Sequence, residues 1–270
     1  MKFKLQGMIL FSMIASILFT GCFSTSRSSS IYVDRTEVEY QNIPVIPSVE
    51  KIVVEPVIDI PKQLTTFQTS LDRDDYLSDK AFANFREIRF GSIKKGILYR
   101  SSNLTSYTAR SSYSSELAKS YNIKNIINLS DSNKSVEKNL ILLPNPWYQG
   151  LFDANKVLAL GLTNEYNSES FNKNIAEAFV FIIDNEGPIL IQGSDGVDRV
   201  GFMSIIIESL MGASMEEIET DYMTSFYNLF NVKKGSNEFC VVKDTPYEML
   251  SSIADDVEIR DQNLSNIARD

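Results

Sequence analysis

The 270-residue sequence predicts an α/β domain, on three observations. Short strand-like apolar segments alternate with segments of helical period through the middle of the chain. "GPILIQ", residues 187 to 192, is a continuous apolar run of the kind a strand needs when both faces are covered. Beyond it the chain reads as helix, with a glycine stop and a fresh capping signal. At 43% hydrophobic residues, the chain has enough apolar material for one substantial core.

The first element is an address. Lys2 and Lys4 precede an apolar run from Met8 to Phe19, and "LFTGC" sets Gly21 directly before Cys22. The run is too short for a flanked spanning helix and resembles a bacterial lipoprotein signal peptide. The resemblance implies cleavage after residue 21, with Cys22 lipidated and anchored through chains contributing about 0.8 kcal/mol per buried CH2. Phe23, not aspartate, follows Cys22, which favours an outer membrane where the envelope has one. Loss of residues 1–21 would deepen the net charge from -9 to -11. Residues 22–63 read as an extended tether: "STSRSSS" is followed by Pro44, Pro47, Pro56 and Pro61, half of the eight prolines. "KIVVEPVIDI" inside it is an edge-strand candidate at most, because Pro56 cannot donate to a ladder.

Residues 64–270 are assigned to the domain, whose first elements start near Leu71. "NFREIRF" and "GILYRSS" read as strands around a Gly91 turn, "SSELAKSYNI" as helix, and "IKNIINLS" as a buried strand. A long amphipathic helix from about Glu169 to Asn185 carries Phe171, Ile175, Phe179 and Ile182 on one face. After "GPILIQ" comes a loop, then a helix in "VGFMSIIIESLMG" stopped by Gly212, then another opened by Ser214 with Glu217 completing a capping box. Tyr222, Phe226 and Tyr227 read as packing aromatics, Trp147 as either packing or a cleft rim, and Cys240 as a small core residue.

Charge and composition exclude several functions. A net charge of -9 argues against nucleic-acid binding, which needs a basic stripe to release counterions. The absence of histidine removes the Ser-His and Cys-His nucleophile pairs and the commonest transition-metal ligand, and neither Cys22 nor Cys240 has a partner at metal-ligand spacing. No cofactor or metal is expected.

"IQGSDGVDRVG", residues 191 to 201, carries the chemistry. Amides from Ser194 to Arg199, curled at a helix N-terminus, suit an anion; Gly193 and Gly196 permit the curl, and Arg199 offers a planar fork to two oxygens. The stretch "ILIQGSDGVDRVGF" resembles the signature H-C-x-x-G-x-D-R-[TA]-G of the protein tyrosine phosphatase superfamily, in its bacterial atypical tyrosine/serine branch. "NFREI", "GSIKKGILYRSSNL", "IKNIINLSD" and "SLMGASMEEIETDYMTSFYNLF" resemble neighbouring segments of that branch, over roughly residues 80 to 232. The resemblance implies a central mixed sheet flanked by helices, with a phosphate-binding loop between a strand and a helix. It also implies a thiolate nucleophile, which this sequence replaces: Gly193 stands at the cysteine position, Gln192 at the histidine position and Val200 at the hydroxyl position. Gly196, Asp198, Arg199 and Gly201 remain. Near the segment where the branch carries its aspartate acid, the chain offers Gly161 and Glu165.

The expectation is an exported, catalytically inactive phosphatase-like lipoprotein. No catalytic set is intact; residues Gly193, Ser194, Asp195, Gly196, Val197, Asp198 and Arg199 would bind a phosphorylated or other anionic ligand, or the region a protein partner. Asp198 is expected to fix the loop, Asp195 to weaken anion binding if it faces inward, and Ser194 to lack a base that activates it. Two alternatives stand beside this: a residual phosphatase using water oriented by Asp195 or Glu165, and a purely structural envelope lipoprotein.

Overall fold

The computed structural model describes residues 67, 69–163, 168–254, 258–261 and 264. The expected signal segment with Cys22, the tether and Glu165 lie outside the described residues.

Five strands form one mixed sheet: β1 (Arg86–Ile88), β2 (Leu98–Ser102), β3 (Asn125–Asn128), β4 (Val157–Ala159) and β5 (Ile189–Gly193), in the spatial order β1-β2-β5-β3-β4. β1 runs antiparallel to β2, with Arg86 opposite Arg100. The other pairings are parallel, and β5 lies between β2 and β3, with Leu190 opposite both Tyr99 and Ile126. The continuous apolar run of β5 follows from that position, since every residue of the strand is buried.

The helices are α1 (Asp79–Phe82), α2 (Ala109–Ser120), α3 (Asn133–Leu142), α4 (Pro146–Asp153), α5 (Glu169–Asp184), α6 (Asp198–Leu210), α7 (Met215–Phe230), α8 (Asn237–Val242) and α9 (Thr245–Ile253). They cover both faces of the sheet, and strand alternation sorts the core accordingly. Leu98, Ile127, Ile189 and Ile191 pack with Phe179, Met203 and Phe226 of α5, α6 and α7. Tyr99, Ile126 and Leu190 face the other way, onto Ala118, Val136, Leu140 and Tyr148 of α2, α3 and α4.

The predicted helix signals act as read. Glu217 N–H donates to Ser214 Oγ at 3.2 Å while Ser214 N–H donates to Glu217 Oε2 at 2.8 Å, closing the capping box of α7. Gly212, at φ +77°, follows the end of α6. Two side-chain expectations resolve differently, and the open reading of Trp147 closes on packing. Cys240 is exposed, because α8 turns Phe239 and Val242 inward and leaves the intervening thiol outside. Tyr222 and Phe226 are buried at i and i+4, but Tyr227, one residue further round α7, is 40% exposed. Trp147 is half-buried and packs against the α2–α4 core. The sequence does not single out α1, α3, α4, β4, α8 and α9 as separate elements. Among the described residues, no helix is long and apolar enough to cross a membrane.

Candidate functional site

Strand β5 delivers the loop Ser194–Val197 to the C-terminal edge of the parallel strands, and α6 begins immediately after it. Two constraints fix the turn. Gly196 sits at φ +71°, and a Cβ there would lie 2.5 Å from the Ser101 carbonyl oxygen, so only glycine fits both the backbone angle and the space. Val197 and Val200 are buried in the core beneath. Gly196 N–H donates back to the Gly193 carbonyl at 3.2 Å. The amides of Ser194, Asp195 and Val197 meet no acceptor among the described residues, and the N-terminal turn of α6 follows them. Free amides at a helix start are the arrangement that suits an oxyanion.

The carbonyl side of the loop is held from below by groups that sequence reasoning missed. Asn84 Nδ2 lies 3.1 Å from the carbonyl oxygens of Asp195 and Gly196 and from Ser225 Oγ. Arg100 Nη2 donates to the Gly196 carbonyl at 2.9 Å, while its Nη1 pairs with Asp221 Oδ2. Arg86 completes the layer: Nε donates to Asp221 Oδ1 at 2.7 Å, Nη2 to the Asp221 carbonyl and Ser225 Oγ, and Nη1 to Asn84 Oδ1. Burial opposes the Asp221 carboxylate, yet Arg100 and Arg86 together hold it below the ordinary range. Burial, aided by Arg100, lowers Arg86 to about 10. Glu208 on α6 is fully buried beside this layer with no hydrogen bond to either oxygen among the described residues. Burial first, then the Asp221 charge, pushes its carboxyl up to about 9, so it is a neutral acid at pH 7.

The expected site residues divide. Arg199 folds across the loop: Nη1 donates to the Leu162 carbonyl at 2.5 Å and Nη2 to Ser194 Oγ at 2.9 Å. It thereby ties the loop to the segment following β4. Asp195 points away toward a buried cation, its Oδ1 3.8 Å from Arg110 Nε. Arg110 is otherwise satisfied by the carbonyls of Phe82 and Ser70 and by the Tyr76 hydroxyl. The Asp198 carboxylate makes no hydrogen bond among the described residues; burial raises its pKa, against Arg199 and with Asp195. The restraint expected of Asp198 therefore falls to Asn84 and Arg100.

A polar wall flanks the loop at the ends of β2, β3 and β5. Gln192 Oε1 accepts from Leu104 N–H at 3.3 Å, and its Nε2 lies 3.4 Å from Asn103 Oδ1 and from the Tyr148 hydroxyl. Asn103 N–H donates to the Ser194 carbonyl at 3.2 Å. Asn103 Nδ2 and Asn128 Nδ2 donate to Asp131 Oδ2 at 2.6 and 3.1 Å. Asp131, which follows the predicted strand "IKNIINLS", carries no sequence signal that separates it from a solvated loop acid. Its carbonyl accepts from Gly161 N–H at 2.9 Å, next to the Leu162 that Arg199 grips. Among the described residues, no group of three or more metal-ligating side chains assembles.

The sequence profile of the tyrosine phosphatase family matches residues 80–252, a span that holds all five strands, the loop and the network beneath it. The chain belongs to the tyrosine phosphatase family. Among solved structures, this tyrosine phosphatase family chain is similar to the core catalytic domain of the PP-IP phosphatase SIW14 from S. cerevisiae in complex with citrate. The identity is 19%, the coverage 63% of this chain and 91% of that one, and the TM-score 0.36. No curated protein matches the sequence.

Proposed function

We propose that this member of the tyrosine phosphatase family binds an oxyanion in the loop Gly193–Arg199 without hydrolysing it, and that it does so as an exported protein held to the bacterial envelope through lipidated Cys22. One observation carries the reading: the position that the signature reserves for the thiolate is Gly193, which has no side chain with which to form a phosphoenzyme. The rest of the loop keeps what binding requires. Its amides are unopposed, its carbonyls are tied down by Asn84 and Arg100, and Arg199 lies across it. Neither Ser194 nor Cys240 is set up to replace the thiolate. Ser194 Oγ accepts from a guanidinium and has no base beside it among the described residues, and Cys240 is exposed on α8 rather than at the loop.

Calorimetric titration of the full chain with inorganic phosphate tests the binding, beside an assay of phosphate release from p-nitrophenyl phosphate. The expected result is saturable binding without turnover, weakened about tenfold or more in Arg199→Ala through loss of charge-assisted hydrogen bonds. No binding by the unmodified chain, or turnover above the buffer rate, overturns the reading. For the anchor, labelled palmitate should enter the protein in bacteria and fail to enter Cys22→Ala.

A further inference from the structure

Among the described residues, three carboxylates lie around the loop, and they are compensated differently. Asp195 has the buried Arg110 guanidinium at 3.8 Å. Asp198 is half-buried at the start of α6 with Arg199 next to it in sequence. Asp131 has only neutral partners: two amide groups, both on Oδ2, with no cation in ion-pair range among the described residues.

Those amides are locked. Asn103 Oδ1 accepts from Thr105 N–H at 2.8 Å and Ser106 N–H at 3.1 Å, and Asn128 Oδ1 accepts from Ser130 N–H at 3.1 Å and Asp131 N–H at 3.0 Å. Each amide can therefore turn only its NH2 toward Asp131, and the carboxylate is oriented in advance.

Asn103 also sets the distance to the loop. Its backbone N–H bonds the Ser194 carbonyl and its side chain bonds Asp131, so standard bond lengths put the carboxylate within about 10 Å of that carbonyl. Two hydrogen bonds of about 2.9 Å, with a phosphate and an amine joined through two carbons between them, reach about as far as that limit.

We propose that Asp131 is the second recognition group of this site, and that the ligand is a small zwitterion, its phosphate on the loop amides and Arg199 and its ammonium on Asp131. The proposal rests on the reading of the loop as an oxyanion site. A carboxylate without a cation repels a plain phosphate, and an ammonium on the same ligand converts that repulsion into attraction.

The test titrates the full chain with two probes of nearly equal size, ethyl phosphate and O-phosphoethanolamine, which differ by the ammonium. The expected result is about tenfold tighter binding of O-phosphoethanolamine. Asp131→Asn keeps an acceptor for both amides and removes the charge, so it should erase the preference from both sides, weakening O-phosphoethanolamine and tightening ethyl phosphate. A merely structural Asp131 would weaken both probes together. Equal affinity of the two probes for the unmodified chain overturns this inference and leaves the oxyanion site standing, whether or not the variant folds. A preference that survives in Asp131→Asn also overturns it. Binding of neither probe overturns both readings.

Discussion

Arg100 on β2 and Asp221 on α7 form an ion pair beneath the loop, with 0% and 4% of their side chains exposed. The same guanidinium holds the Gly196 carbonyl, so the pair joins the sheet, α7 and the loop in one contact. Removing Asp221 leaves two buried guanidinium groups, Arg100 and Arg86, without their shared anion. We expect Asp221→Ala to lower stability by about 3–5 kcal/mol, read as a lower urea midpoint. The linkage sign follows from the depressed Asp221 pKa: its contribution is present above the unfolded carboxylate value and is lost as pH falls through the folded one. Acid unfolding should therefore begin below about pH 4 in the parent chain, and this component should vanish in Asp221→Ala.

Glu208 gives the opposite slope. Its folded pKa, about 9, lies above the ordinary glutamate value, so between the two the folded state holds a proton that the unfolded state has released. Stability should fall as pH rises across that window, by up to about 1.4 kcal/mol per pH unit. Glu208→Gln removes the titration, and its urea midpoint should be flatter from pH 5 to pH 9. An unchanged slope would place the Glu208 proton elsewhere.

A Cβ built at Gly193 has one neighbour within 4 Å. A Cβ there would meet Val200 Cγ2 at 3.0 Å, tighter than an ordinary contact. Gly193→Cys alone should therefore be strained, and Gly193→Cys with Val200→Ser should accept the thiol and place a hydroxyl beside it. We expect the double variant to hydrolyse p-nitrophenyl phosphate at least about tenfold faster than the parent background, and to lose that activity to iodoacetate. A silent double variant that binds phosphate normally would locate the deficit in the missing acid, not in the loop.

Gly196 has no such latitude. Any Cβ would enter the backbone of Ser101 while holding a positive φ. Gly196→Ala should cost about 2–4 kcal/mol of stability, or displace the loop and abolish phosphate binding. Thermal unfolding and calorimetry distinguish the two results.

Much of this architecture is legible in the sequence because it is written locally. The apolar run of β5, the Gly212 stop, the Ser214–Glu217 box and the curl of Gly193–Arg199 each depend on residues a few positions apart. The layer under the loop is not local. Arg100 finds Asp221 across 121 residues, and Asn84 finds Gly196 across 112, so these partners emerge only once the strand order is known. Arg100 in "LYRSS" carries no local signal of burial, yet β2 is buried along its whole length. Cys240 and Tyr227 misled for a simpler reason: apolar character does not say which side of a helix faces in.

The central place of β5 has a consequence for motion. Ile189 to Gln192 are hydrogen-bonded between two neighbours, at the least accessible point of the sheet, so their amides should exchange with solvent deuterium only when the whole domain opens. Two residues on, Ser194 and Asp195 present amides that meet no acceptor among the described residues and should exchange at once. Slow and fast amides thus lie side by side across Gly193, and an anion seated in the loop would announce itself by slowing only the second set.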